Sequence, residues 1–206
     1  MKNPFSPARL ALMAGALFLA GCTSPAQPEG MAASPALGGV RKSADGLGIQ
    51  VSGGQETSSV GTPQISNGDF EKALELSFQK AGLFASAGPD TGARYQLSAY
   101  ISRITQPLMG FSMTVTLEVS YSLVDTKTHL TIWQKAITSQ HTSTPGDAFA
   151  AVTRLRLATE GAAAENIEHL LREIARLNLD QNRSDVVRVN APVREAGSFG
   201  RQRRSA

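Results

Sequence analysis

The chain has 206 residues, with 20 Lys and Arg against 17 Asp and Glu, a formal charge of +3 and a single cysteine. That length holds one core of ordinary domain size, and one cysteine leaves no internal disulfide to staple it. The familiar basic patch interleaved with aromatics is missing, which argues against nucleic acid as a partner.

In chain order, Lys2 and Arg9 precede an apolar run from Leu10 to Leu19. Ten residues make about 15 Å of helix, half of a bilayer core, so the run reads as a secretory signal over residues 1–21 rather than a permanent span. It ends in Leu19-Ala20-Gly21-Cys22, which resembles the lipobox of bacterial lipoproteins: an aliphatic residue, two small ones and the cysteine. The resemblance implies that Leu19, Ala20 and Gly21 are read by a signal peptidase. Cys22 then becomes the first residue, its thiol carrying diacylglycerol as a thioether and its amine an acyl chain. It also implies retention at the outer membrane, because the residue after the cysteine is Thr23 and not the aspartate that marks inner-membrane lipoproteins. Processing removes Lys2 and Arg9 while all 17 acids remain, so the mature charge is +1.

Residues 22–46 are rich in Pro, Ala, Gly and Ser without an apolar period, which predicts a flexible tether. The domain is expected over 47–179. Leu47 to Gly53 reads as a short strand. Ser66 or Asn67 caps a helix in which Phe70, Ala73, Leu74, Ser77, Phe78 and Ala81 recur at helical spacing before a stop at Gly82. Tyr95, Leu97, Ala99 and Ile101 alternate with polar residues, as do Phe111, Met113, Val115, Leu117, Val119, Tyr121 and Leu123. Each reads as a strand packed on one face. Leu130 to Ser143 returns as a third long strand, with a bulge where Ile132 and Trp133 break the alternation. Thr144 to Asp147 then opens a helix to about Leu177, with Phe149, Val152, Leu155, Ile167 and Leu170 on its apolar stripe. Residues 180–206 form a basic, disordered tail. The result is an α+β domain: an antiparallel three-stranded meander plus a short N-terminal strand, with two helices on one face, in the order β-α-β-β-β-α.

On the last helix, Arg156, Thr159, Glu160 and Asn166 fall within or beside the apolar sector. Buried polar groups must pair or face a cleft, since an unsatisfied one costs about 1–3 kcal/mol. They therefore read either as a structural network or as a partner-docking cleft. Gly161 lies mid-helix and calls for a close neighbour. Glu165 and His169 are four apart, with Glu168 adjoining, a metal-compatible spacing, but both lie on the polar face with no third ligand nearby in sequence. No nucleophile elbow, zinc-protease motif or phosphate loop occurs. The sequence thus predicts no catalytic residues, no metal and no cofactor. The Met109–Met113 end of the strand face is a lipid-facing candidate, because methionine and phenylalanine adapt to irregular hydrocarbon.

The segments ISNGDFEKALELSFQKAGLF, RYQLSAYI, VSYSLVDTKTHLTIWQKAI and RLRLATEGAAAENIEHLL, with the lipobox, resemble small proteobacterial lipoproteins. Their architecture is similar to that of YajG-like lipoproteins and of the auxiliary lipoproteins of ABC-type lipid transport systems. The resemblance implies a non-enzymatic interaction module on the periplasmic face of the outer membrane, held by its lipid and bound to an envelope protein. The second reading is an amphiphile carrier, with lipid held between helix and sheet.

Overall fold

The computed structural model describes residues 24–40, 42–58, 61–89, 92–177 and 179. Residues 1–21, Cys22 and the 180–206 tail lie outside them. The chain divides into two units, Met1–Arg176 and Leu177–Ala206, and every element below belongs to the first.

In order these are α1 (Pro28–Met31), β1 (Leu47–Ser52), α2 (Asn67–Ala81), β2 (Ala87–Gly88), β3 (Tyr95–Thr105), β4 (Met113–Asp125), β5 (Leu130–Ser143) and α3 (Ala151–Ala175). The sheet runs β2-β1-β3-β4-β5. Strands β3, β4 and β5 form the expected antiparallel meander, while β1 lies parallel to β3 from Leu47 opposite Tyr95 to Ser52 opposite Tyr100. A parallel neighbour requires a crossover, and α2 provides it. Helices α2 and α3 pack on one face of the sheet, so the α+β class holds, with two small elements, α1 and β2, added.

Local chemistry explains the elements. Ser66 caps α2 by accepting from the Asp69 amide, and Gly82, at φ 63°, ends the helix and donates to the Phe78 carbonyl. In β4 every odd-numbered residue from Met113 to Asp125 is buried. Leu123 pairs with Trp133 and Val124 with Thr131, so Ile132 is the extra residue of a bulge where the alternation breaks.

Three expectations need correction. The long helix starts at Ala151, not near Thr144. The Thr144 amide and hydroxyl donate to Asp147 Oδ2 at 2.7 and 2.9 Å, closing a separate turn, and Arg154 Nη1 takes the carbonyls of Ala148 and Phe149. Phe149 is therefore outside the helix and fully exposed instead of on its stripe. Second, β4 starts at Met113, leaving Phe111 in an exposed loop. Third, residues 26–40 and 42–43 are not a flexible tether. The Ala26 amide donates to Gln64 O at 3.3 Å and the Ser43 amide to Leu83 O at 2.8 Å. The Ala33 amide donates to Ser77 Oγ at 2.9 Å, and Met31 of α1 is wholly buried where α1 meets α2 and α3. A few anchors at irregular spacing, which have no period to detect, hold this strap down.

The β4–β5 turn carries a pH dependence. Asp125 is buried, which raises its pKa, but Arg94 donates to its Oδ2 from Nη2 at 3.0 Å and the Lys127 and Thr128 amides donate to Oδ1. Together these outweigh burial and hold the carboxyl below its ordinary 3.8. A group depressed in the folded state stabilises above its unfolded pKa and loses that contribution as the pH falls through the folded value. The urea midpoint is expected to drop as the pH is lowered from the ordinary 3.8 toward the folded value, and Asp125→Asn should flatten that part of the profile.

Candidate functional site

Helix α3 positions all four sequence-predicted polar residues, but it sends them to different places. Arg156 Nη1 donates to Glu160 Oε1 at 3.0 Å, and the same oxygen accepts the Gln27 amide at 2.9 Å. The carboxylate thus lies at the start of α1, where a negative charge suits the free amides of a helix N-terminus. Gly30 is required there: a Cβ would stand 2.5 Å from Glu160 Oε2. Thr159 donates to Leu155 O and accepts from Gln106 Nε2 at 3.1 Å, and Gln106 also donates to Pro63 O at 2.6 Å. Asn166 is fully buried; Nδ2 donates to Ile137 O at 2.9 Å and Ser139 Oγ at 3.1 Å, and Oδ1 accepts from Tyr121 at 2.9 Å. The four therefore line no common cleft. Thr159 and Glu160 tie α3 to the N-terminal strap and the end of β3, and Asn166 ties it to the middle of the sheet.

The metal-compatible spacing is likewise divided among other partners. Glu165 faces His141 Nδ1 at 2.8 Å, Glu168 pairs with Arg172, and among the described residues no three His, Cys, Asp or Glu converge. The close neighbour that Gly161 calls for is the His141 ring, which any added Cβ would overlap.

Two surfaces remain for interaction. Strand β5 ends the sheet order, and among the described residues its outer edge has no neighbouring strand. Between it and α3 runs a groove of about 380 Å³, lined by Lys135, Ile137, His169, Arg172, Glu173 and Arg176 among others. Glu173 accepts from Lys135 at 3.3 Å and Arg176 at 3.1 Å, so the lining is basic with one acid shared between two cations. The sequence hid this groove because its two walls lie about 35 residues apart and neither has a motif.

The other surface is the end of the sheet formed by the β3–β4 and β5–α3 loops. Leu108, Met109 and Phe111 are 95, 85 and 86% exposed, beside the fully exposed Phe149.

With this geometry the chain can be compared with known proteins. The fold has solved counterparts. Protein XCC0632 from Xanthomonas campestris, a DUF330 protein, matches at 14% identity with a TM-score of 0.52, over 75% of this chain and 94% of that one. A minor lipoprotein from Acinetobacter baumannii matches at 12% identity and a TM-score of 0.41, over 67% and 94%. At these identities the likeness is one of fold, and only the first is close enough in shape to support an argument. No family model matches the chain, and no curated protein does. The Xanthomonas counterpart spans nearly its whole length on this fold, so sheet and helices here make a complete architecture of a known kind.

Proposed function

We propose that the chain is an envelope lipoprotein, anchored through Cys22 at the periplasmic face of the outer membrane, that works without catalysis by holding another envelope protein. The observation that carries this reading is the sequence Leu19-Ala20-Gly21-Cys22, set at the end of an apolar run too short to span and just ahead of a strap packed from Ala26 onward. The resemblance to YajG-like and ABC-transport auxiliary lipoproteins supports a role in envelope assembly or transport. The docking face in this reading is the β5 edge with its basic groove, where an extended acidic segment would gain main-chain hydrogen bonds and charge complementarity together. The amphiphile-carrier reading has less support, because the space between α3 and the sheet is filled by Val115, Leu117, Ala162, Ala163 and Ile167, all with no exposed surface.

The test is Cys22→Ser in cells fed a labelled fatty acid. The native chain is expected to take up label and fractionate with outer membranes; the variant should take up none and keep its signal segment. Label in the variant, or native chain recovered unlabelled from the cytosol, would refute the reading.

A further inference from the structure

We propose that the loop end of the sheet, carrying Leu108, Met109, Phe111 and Phe149, is seated in the membrane leaflet. The part of the argument that concerns the tether rests on the lipoprotein reading; the apolar end itself does not.

The four side chains belong to two loops at one end of the molecule, because Met113, just after the first loop, is paired with Ser143, just before the second. Large apolar residues so grouped and so exposed mark a contact surface. Their presentation is built. Arg154, itself buried, clamps the carbonyls of Ala148 and Phe149 at 2.9 and 2.6 Å, and Gln106 fixes the root of the other loop on Pro63 and Thr159. Gly110, at φ 156°, makes the turn that turns Met109 and Phe111 outward, and a Cβ there would meet Ser112 O.

The chemistry around them selects a leaflet over a protein. Between Arg103 and Glu118 there is no charged residue, and the second loop carries one, Asp147, whose carboxylate is already engaged by the Thr144 amide and hydroxyl, so the first loop offers hydroxyl and amide groups at headgroup depth with no charge to desolvate. The four side chains stand on two loops with 85% or more of their surface exposed, a shape suited to a fluid medium.

The place where the strap begins fixes the same end. Ala26 is held on Gln64, and Gln64 Nε2 reaches Gln106 Oε1 at 3.5 Å, two residues from Leu108. Cys22 is four residues from Ala26, a reach of at most about 14 Å at 3.6 Å per residue. Acyl chains on Cys22 would therefore enter the bilayer beside the apolar end. The body cannot float clear of the surface; it stands on the membrane, with the β4–β5 turn farthest from it. With Asp147 the only charged residue on the two loops, seating should not be strengthened by anionic lipid or weakened by salt.

The experiment places an environment-sensitive dye on Met109→Cys in the full chain purified from membranes, whose own Cys22 is acylated, with Lys127→Cys at the opposite turn as reference. The chains are reconstituted into vesicles of phosphatidylethanolamine and phosphatidylglycerol, and separately of phosphatidylcholine. Expected is a blue shift at position 109 quenched by brominated acyl chains, no larger in the anionic vesicles than in phosphatidylcholine and absent at 127, and lost in a Phe111→Asp, Phe149→Asp variant with unchanged circular dichroism. Each large apolar side chain removed should lower partitioning by about tenfold or more. A chain that co-floats through its lipid while position 109 reads as water overturns the seating and leaves the lipoprotein reading standing. A chain whose mass shows no lipid on Cys22 but whose position 109 is buried by vesicles supports the seating and overturns the anchor. Failure of both flotation and burial overturns both. Burial of position 109 that rises with protein concentration without lipid assigns the end to a second copy and overturns the proposal.

Discussion

Replacing Asn166 with leucine is expected to destabilise the domain by about 3–5 kcal/mol, although the two side chains share the same branched skeleton of four heavy atoms. The loss follows from what the amide does. It reaches from α3 into the middle of the sheet, and its two ends serve three groups on two strands: Tyr121 on β4, and Ile137 O and Ser139 Oγ on β5. Leucine adds apolar contact but leaves the Tyr121 hydroxyl, in a wholly buried ring, without its acceptor, and strips Ile137 O of its side-chain donor. Each orphaned group costs about 1–3 kcal/mol. Burial pushes the Tyr121 pKa well above its ordinary value, so the hydroxyl stays a neutral donor and cannot escape by ionising. Urea denaturation measures the effect. Tyr121→Phe alone should cost about 1 kcal/mol, and the double variant should be more stable than the sum of the two losses, because the second change removes the orphan created by the first. If Asn166→Leu unfolds within about 0.5 kcal/mol of the native chain, the network is not what joins helix to sheet.

The elements that sequence reasoning located are those whose signal is local. The alternation of β4 from Met113 onward, the Ser66 and Gly82 caps of α2 and the bulge at Ile132 each depend on a few adjacent residues, and each is where the pattern puts it. What the pattern missed depends on distant partners. β1 is a parallel neighbour of β3 only because α2 carries the chain across. Phe149 has the spacing of a helix stripe, yet the Asp147 turn and the Arg154 clamp win the backbone groups that the helix would need. Thr159, Glu160 and Asn166 were legible as buried polar residues needing partners, but those partners lie up to 133 residues away, on the strap, just past the end of β3 and in the sheet, while Arg156, part-exposed, pairs with Glu160 four residues on. The composition of residues 22–46 is that of a linker, and one methionine and a few amides suffice to pack most of it.

That strap carries the second large effect. Met31→Ala is expected to cost about 2–5 kcal/mol, the range for deleting a large buried side chain whose surroundings relax only in part. A true tether would tolerate the change at no cost. Met31 is fully buried where α1 meets α2 and α3, and α1 is a single turn that cannot hold itself together in isolation. Its hold on the body comes from Met31 and from Glu160, whose Oε1 accepts the Gln27 amide. The alanine variant should therefore release the strap before the rest unfolds. Limited proteolysis would then cut between Gly30 and Lys42 at a rate set by local opening, while the sheet and α3 stay protected. Glu160→Gln, which keeps an acceptor for Gln27 but removes the charge facing Arg156, should cost less than Met31→Ala and open the strap less. The same release lengthens the path from Cys22 to the first fixed point of the body, from Ala26 to the Ser43–Leu83 bond. With that slack the loop end is no longer obliged to stand beside the acyl chains, so Met31→Ala should also weaken contact of position 109 with lipid in the anchored chain. A variant that loses neither stability nor protease resistance would return residues 22–46 to the role of a passive linker and remove the geometric reason for the body to stand on its membrane.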